Sequence, residues 1–315
     1  RGLLDIHKAK TMDEFKAACS EWPLSSLNMI YADSTDTIGW QMIGDAPRRR
    51  QGWGIVPKPG WASESGWEPD PIPFDQMPCL VNPPDGIIAT ANNSPTSDGD
   101  GPYLGMDWFD GYRQSRIIEL LQPSSEWDVS STMKVHLDKY CIPWREIKPH
   151  LPKSVSSMEA SLAIKILSEW DGNLSVTSNA ATVFQFFISE IYRMIAKTKA
   201  PKSWKWALGN GPNKIVPYNR LVARRMGHLS RLLRDKPDGW FSTGWDRIIE
   251  DALSKAITKL RKDFGNNTTK WAWGRVRQLT LKHPLGDSPL FRHIFNIGPF
   301  EWGGDVNTIS QSAAP

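Results

Sequence analysis

The residues with the most chemical potential lie in one short stretch and at one position downstream of it. Thr90-Ala91-Asn92-Asn93-Ser94-Pro95 places two consecutive amides at the end of an apolar run, and Arg113 follows a Gly-rich loop at the start of a helical pattern. An Asn side chain offers two N–H donors, which is what a developing tetrahedral oxyanion needs. A guanidinium is a fixed positive charge whose rigid fork of donors orients its neighbours. The same stretch also has the composition of an ordinary turn, and spacing by itself favours the turn, since Asn-rich turns are common.

Other site chemistries are missing from the sequence. The six His are scattered, with none in an HExxH or an i, i+4 pair, so a zinc hydrolase site is not supported. There is no GxSxG nucleophile elbow and no phosphate loop. Asp98 and Asp100, flanked by glycines, raise the question of calcium, but the EF-hand spacing is not met and a turn is expected. Cys19, Cys79 and Cys141 are widely spaced and odd in number, which supports neither a disulfide framework nor a zinc knuckle and leaves the redox compartment open.

The chain that must position these groups has 315 residues, 38 Lys+Arg against 34 Asp+Glu, and 40% hydrophobic residues. That is enough for real cores in one large or two ordinary domains, and it argues against disorder. The net charge of +4 is too small for a dedicated nucleic-acid binder, and Arg48-Arg49-Arg50 is expected to be a solvated loop. No apolar stretch approaches the roughly 18 residues that suggest a membrane span. The chain opens on Arg1 without an apolar leader and is expected to be part of a longer product.

Thr11-Met12-Asp13-Glu14 has the form of a capping box, which predicts a helix to about Cys19. Leu27 to Asp33 and Thr37 to Gly44 are β-rich runs around a polar break, which predicts a hairpin. Pro47 to Pro84 is crowded with Pro, Gly and Trp and is expected to be an extended excursion, with Trp53, Trp61 and Trp67 supplying its packing. Gly86 to Ala91 is predicted as a short buried strand, and a helix begins near Tyr112 with Ile117, Leu120 and Leu121 on one face. Between about Glu126 and Lys270 the spacing is mostly helical: Ser161 to Trp170, Ala180 to Ala196, Leu221 to Leu233, and Trp245 to Leu260. The tail returns to Trp, Pro and Gly, with Trp271 and Trp273 expected in the core and His283 expected to be structural. Gly303-Gly304-Asp305 is expected to be a tight turn into a returning strand. These changes of pattern divide the chain at about residues 1–125, 126–270 and 271–315.

Several phrases, in order, resemble the β-subunit of the penicillin acylase (penicillin amidase) family of N-terminal nucleophile hydrolases. They are Asn28-Met29-Ile30-Tyr31-Ala32-Asp33 with Ile38-Gly39, Ile72-Pro73-Phe74, Val81-Asn82-Pro83-Pro84, Thr90-Ala91-Asn92-Asn93, and Gly111-Tyr112-Arg113 with Arg116-Ile117. Trp170-Asp171-Gly172, His283-Pro284-Leu285, Asn296-Ile297-Gly298-Pro299-Phe300, Gly303-Gly304-Asp305 and Asn307-Thr308 continue the series. The resemblance implies an α+β fold, part of an αββα sandwich with a helical insertion, with strands around Ile30, Ile38 and Ile88. It implies hydrolysis of linear amides of N-acyl compounds, among them β-lactam side-chain amides and acyl-homoserine lactones, through an acyl-enzyme. The nucleophile would be a Ser freed by autoproteolysis, with its own α-amine as general base.

In that pattern Asn92 is the side-chain oxyanion donor, Arg113 orients the site, and Asn93 is structural. The nucleophilic Ser is expected outside this chain, because Ser178-Asn179-Ala180 falls in the helical part; the backbone oxyanion donor and most acyl-pocket residues are expected upstream as well. No cofactor is needed for the chemistry. A structural calcium would require Tyr103 or Asp100 to stand in, because the loop after the Asn pair is short. The expected partners are an N-acyl amide substrate and an upstream segment or α-subunit of the same precursor, with no nucleic acid and no membrane span, in a periplasmic or secreted setting. The alternative is a non-catalytic module of the same fold that binds a partner or glycan through a Trp-rich surface.

Overall fold

The computed structural model describes residues 2–54, 56–97, 99–124, 126–213, 216–219, 221 and 225–311. The chain divides into two compact units, one ending at Gln114 and one beginning at Ser115.

The first unit opens with helices α1 (Gly2–Ile6) and α2 (Met12–Ser20). Thr11 caps α2 as expected, its hydroxyl accepting from the Glu14 N–H at 3.2 Å, but the Glu14 carboxylate reaches back to the N–H of Lys10 rather than that of Thr11. The hairpin forms: β1 (Leu27–Ala32) pairs antiparallel with β2 (Ile38–Ile43), Leu27 opposite Ile43 and Ala32 opposite Ile38. Asp33 closes the turn by accepting from the Thr35 and Thr37 N–H groups and the Thr35 hydroxyl.

A third strand, β3 (Cys79–Val81), pairs with the far edge of β2, and it lies inside the stretch expected to be only extended. As the central strand, β2 is covered on both faces. Ile43 joins Met12, Phe15, Cys19 and Tyr31, while Trp40 and Met42 join Ala46, Ile72 and Met77. The Met12 thioether of α2 lies over Gly39, its Sδ 2.6 Å from where a Cβ would stand.

Two expectations for this unit fail. Residues 87–90 form no strand; they run half-buried, and side chains take backbone groups that a ladder would otherwise use. The indoles of the excursion also pack poorly. An Arg49–Trp67 bridge brings the two ends of this stretch together, and Trp53 is 63%, Trp61 92% and Trp67 47% exposed. Trp53 and the Tyr103 ring meet edge to face and Trp67 lies under the Arg49 guanidinium, contacts made at the surface rather than in a core.

The second unit is mainly helical: α4 (Val129–His136), α5 (Ile142–Ile147), α6 (Met158–Ser168), α7 (Asn179–Lys199), α8 (Trp204–Ala207), α9 (Met226–Asp235) and α10 (Trp245–Phe264), preceded by α3 (Tyr112–Leu121), which spans the division. The amphipathic stretch expected from Leu221 begins only at Met226, and residues 222–224 lie outside the described ones. Helices α6, α7 and α10 bury Leu167, Phe184, Phe187, Ile191, Ile249, Leu253 and Leu260 against one another. Glu250 on α10 accepts from the N–H groups of Ser156 and Ser157 at 2.8 Å, which ties it to the start of α6.

Trp271 and Trp273 are buried, as expected. Beyond α11 (Trp273–Val276), β4 (Gln278–Leu281) pairs antiparallel with β5 (Ile297–Glu301), with α12 (Arg292–Phe295) between them. No strand follows Gly303-Gly304-Asp305 among the described residues. Asp305 is buried instead in a polar cluster, accepting from Gln185 Nε2 at 2.7 Å and from the Asn307 N–H at 2.7 Å. His283 is structural, its Nδ1 accepting from the Leu285 N–H and its ring stacked on Phe295.

Candidate active site

After β3 the chain turns at Pro83–Gly86 and is anchored to the core by Ile88, which packs with Leu104 and Trp108 against the cluster around Trp40. The anchors lie on either side of the Asn pair, so residues 89–93 form a short span between fixed ends. Their backbone is unusual at one place: Asn92 has φ of 62°, in the left-handed region. Asn tolerates that region better than most residues, and a non-Gly residue held there by surrounding contacts is common at functional sites.

The contacts that hold it come from two directions. Within the loop, the Ala91 N–H donates to Asn93 Oδ1 at 3.0 Å, Asn93 Nδ2 donates to the Ser94 carbonyl, and the Phe109 N–H donates to the Asn92 carbonyl at 2.9 Å. From the first turn of α3, Gln114 Nε2 donates to the Ala89 carbonyl at 2.8 Å. Arg113 does more, because its Nη2 donates to both the Ala91 carbonyl at 2.5 Å and Asn92 Oδ1 at 2.8 Å.

The second of these bonds sets the direction of the Asn92 amide. A guanidinium nitrogen can only donate, so the group facing it must be the carbonyl oxygen, and the amide nitrogen is turned away. Asn92 is exposed, and its Nδ2 has no partner among the described residues. The result is an N–H donor of fixed orientation facing open space, on a residue whose oxygen is already engaged.

The electrostatics match. Arg113 is 9% exposed, and burial pushes its pKa down from the ordinary guanidinium value, although an arginine remains charged. No carboxylate pairs with it among the described residues. Its guanidinium lies over the Phe109 ring, 5.2 Å from the centroid, and its Nε is buried without a hydrogen-bond partner. Among the described residues no counter-ion cancels the positive field beside Asn92.

The structure thus brings Asn92 and Arg113 into direct contact and gives Asn93 a separate task in the loop. Phe109 and Gln114 also touch this span and carried no mark in the sequence. Their only signal there was position, four residues before Arg113 and one after it. Ser178 caps α7, its hydroxyl accepting from the Ala181 N–H at 3.0 Å.

Among the described residues no converging set of carboxylates marks a calcium site. The Tyr103 hydroxyl is spent on the Trp53 carbonyl at 2.7 Å, Asp98 lies outside the described residues, and no group of three His, Cys, Asp or Glu converges among those described.

Comparison with known proteins adds to this geometry. The sequence model of the penicillin amidase family matches residues 1–315. An acyl-homoserine lactone acylase of Pseudomonas fluorescens is 28% identical over 334 aligned residues, covering 99% of this chain and 39% of that protein. A penicillin acylase 2 proenzyme of a Pseudomonas species is 27% identical, covering 96% of this chain and 38% of that protein. The chain therefore spans well under half the length of these relatives. The solved structure of a thermostable penicillin G acylase from Alcaligenes faecalis superposes with a TM-score of 0.65 at 23% identity, covering 86% of this chain and 52% of that one. The fold is thus the α+β N-terminal nucleophile hydrolase fold.

Proposed function

The chain belongs to the penicillin amidase family, and from that premise we propose that it forms the oxyanion side of an amidohydrolase that cleaves linear amides of N-acyl compounds through an acyl-enzyme. The nucleophile, a Ser whose own α-amine acts as base, comes from another segment of the longer protein. Its hydroxyl oxygen attacks the amide carbon as the α-amine takes the proton, and the carbonyl π pair moves onto oxygen. Asn92 Nδ2–H donates to that oxyanion. Collapse expels the amine, which takes up the proton, and water then releases the acid from the acyl-enzyme by the same route.

The observation that carries this reading is the bridge from Arg113 Nη2 to the Ala91 carbonyl and Asn92 Oδ1. A catalytic donor gains its effect by being oriented before the charge develops, and the bridge orients Asn92 without consuming its N–H. The uncompensated guanidinium adds a positive field in a partly desolvated place. The names of the relatives point to two amide classes, acyl-homoserine lactones and penicillin side-chain amides. Both share a linear secondary amide, which is all that the residues described here address.

The test is Asn92→Ala in the complete processed enzyme. Turnover on an accepted amide falls by about 10²- to 10³-fold, the usual worth of one preorganised oxyanion donor, while KM changes little. Near-native turnover in a folded Asn92→Ala enzyme would reduce Asn92 to a turn residue.

A further inference from the structure

Arg113 presents a problem that its hydrogen bonds do not solve. A buried cation is expensive unless something compensates it, and burial normally brings a carboxylate partner. Here the described residues supply none, and the guanidinium Nε has no acceptor. A carboxylate would in any case compete with Asn92 Oδ1 for the Nη2–H and would cancel the field at the oxyanion. Arg113 rests on the Phe109 ring instead, its central carbon 5.2 Å from the centroid.

An aromatic face attracts a cation through its quadrupole but accepts no strong hydrogen bond, so it steadies the guanidinium while leaving both Nη2 bonds where they are. The same residue reaches the other half of the pair, because the Phe109 N–H donates to the Asn92 carbonyl at 2.9 Å and helps to hold the left-handed turn. Phe109 thus touches Arg113 with its side chain and Asn92 with its backbone.

We propose that Phe109 is a positioning residue of the amidase site, a neutral clamp whose ring face replaces the counter-ion of Arg113. The inference rests on the oxyanion role proposed above for Asn92. Phe109 touches no reacting atom; it acts by keeping the guanidinium over the ring and the Asn92 amide in register.

The experiment uses the complete processed enzyme and measures kcat and KM on one chromogenic N-acyl amide. Phe109→Leu keeps the backbone N–H and removes the ring, and it lowers kcat about tenfold with KM within about twofold of native, the scale of a desolvated cation–π contact. Phe109→Tyr restores the ring and recovers most of that loss. Incorporation of a 3,4,5-trifluorinated phenylalanine at position 109 keeps the shape but drains the ring face, and it lowers kcat toward the Leu level with no change in melting temperature. A residue that only fills space would tolerate the fluorinated ring and behave as native. If Phe109→Leu or the fluorinated ring leaves kcat native in an enzyme that Asn92→Ala disables, the clamp is overturned and the oxyanion reading stands. If Asn92→Ala itself leaves turnover intact, the oxyanion reading fails and the clamp fails with it.

Discussion

Replacing Arg113 by Lys separates charge from geometry. The native guanidinium makes two bonds from one nitrogen, to the Ala91 carbonyl at 2.5 Å and to Asn92 Oδ1 at 2.8 Å. A Lys ammonium keeps the charge and has donors enough for both acceptors, but its stem is flexible and one bond shorter than the path to Nη2, so it is expected to keep the main-chain contact and release the amide. A hydrogen bond to a charged group contributes about 1.5–3 kcal/mol, and if that bond is what orients Asn92, its loss lowers kcat by about 10- to 150-fold. KM should stay within about threefold, because the orientation matters chiefly when the oxyanion forms. With the Ala91 carbonyl still satisfied, the melting temperature should shift only slightly.

The decisive assay is a double-mutant cycle of kcat on one amide substrate. If Arg113 acts through Asn92, Arg113→Lys costs almost nothing further once Asn92 is already Ala, and the two losses fail to add. Full additivity would show that Arg113 works independently of the amide it touches. A stability collapse in the single mutant would make it a structural residue, and either result refutes the orientation argument.

Two further outcomes follow from the surroundings. Ser178→Ala should lower stability by about 0.5–2 kcal/mol through loss of the α7 cap while leaving the acyl-enzyme burst of the complete enzyme intact; loss of the burst in a folded variant would place a second reactive Ser in this chain. Asp33, held at about 2 by the Thr35 hydroxyl and then by the Tyr31 hydroxyl, has a folded pKa below the roughly 3.9 of an unfolded Asp. Its contribution is therefore present above about pH 4 and lost as pH falls toward 2, so urea midpoints of Asp33→Asn should fall less steeply over that window than those of the native chain. Parallel slopes would remove the hairpin turn from the account of acid stability.

Much of the element order was legible in the sequence because each element carried its own local signal. Thr11 three residues before Glu14 marked α2, the polar break at 34–36 marked the hairpin, and the long helical periods from 161 to 260 marked α6, α7 and α10. The failures came where the deciding interaction was remote. Cys79–Val81 looked like part of a Pro-rich excursion because three residues are too few for a period, and only the free edge of β2 makes them a strand. Gly86 to Ala91 looked like a strand because its residues are apolar, yet its carbonyls are claimed by Arg113 and Gln114 from the start of α3.

That second failure is also what shapes the candidate site. A strand running to Ala91 would place the next residue in extended geometry, whereas side-chain donors from α3 let the backbone leave extended form and turn through φ of 62° at Asn92. The residue types at 92 and 113 were visible in the sequence, and so was the choice between a turn and an oxyanion donor. In the proposed reading the two do not conflict. Asn92 is a turn residue, and because Arg113 holds the oxygen of its amide within that turn, the nitrogen is presented outward as a donor.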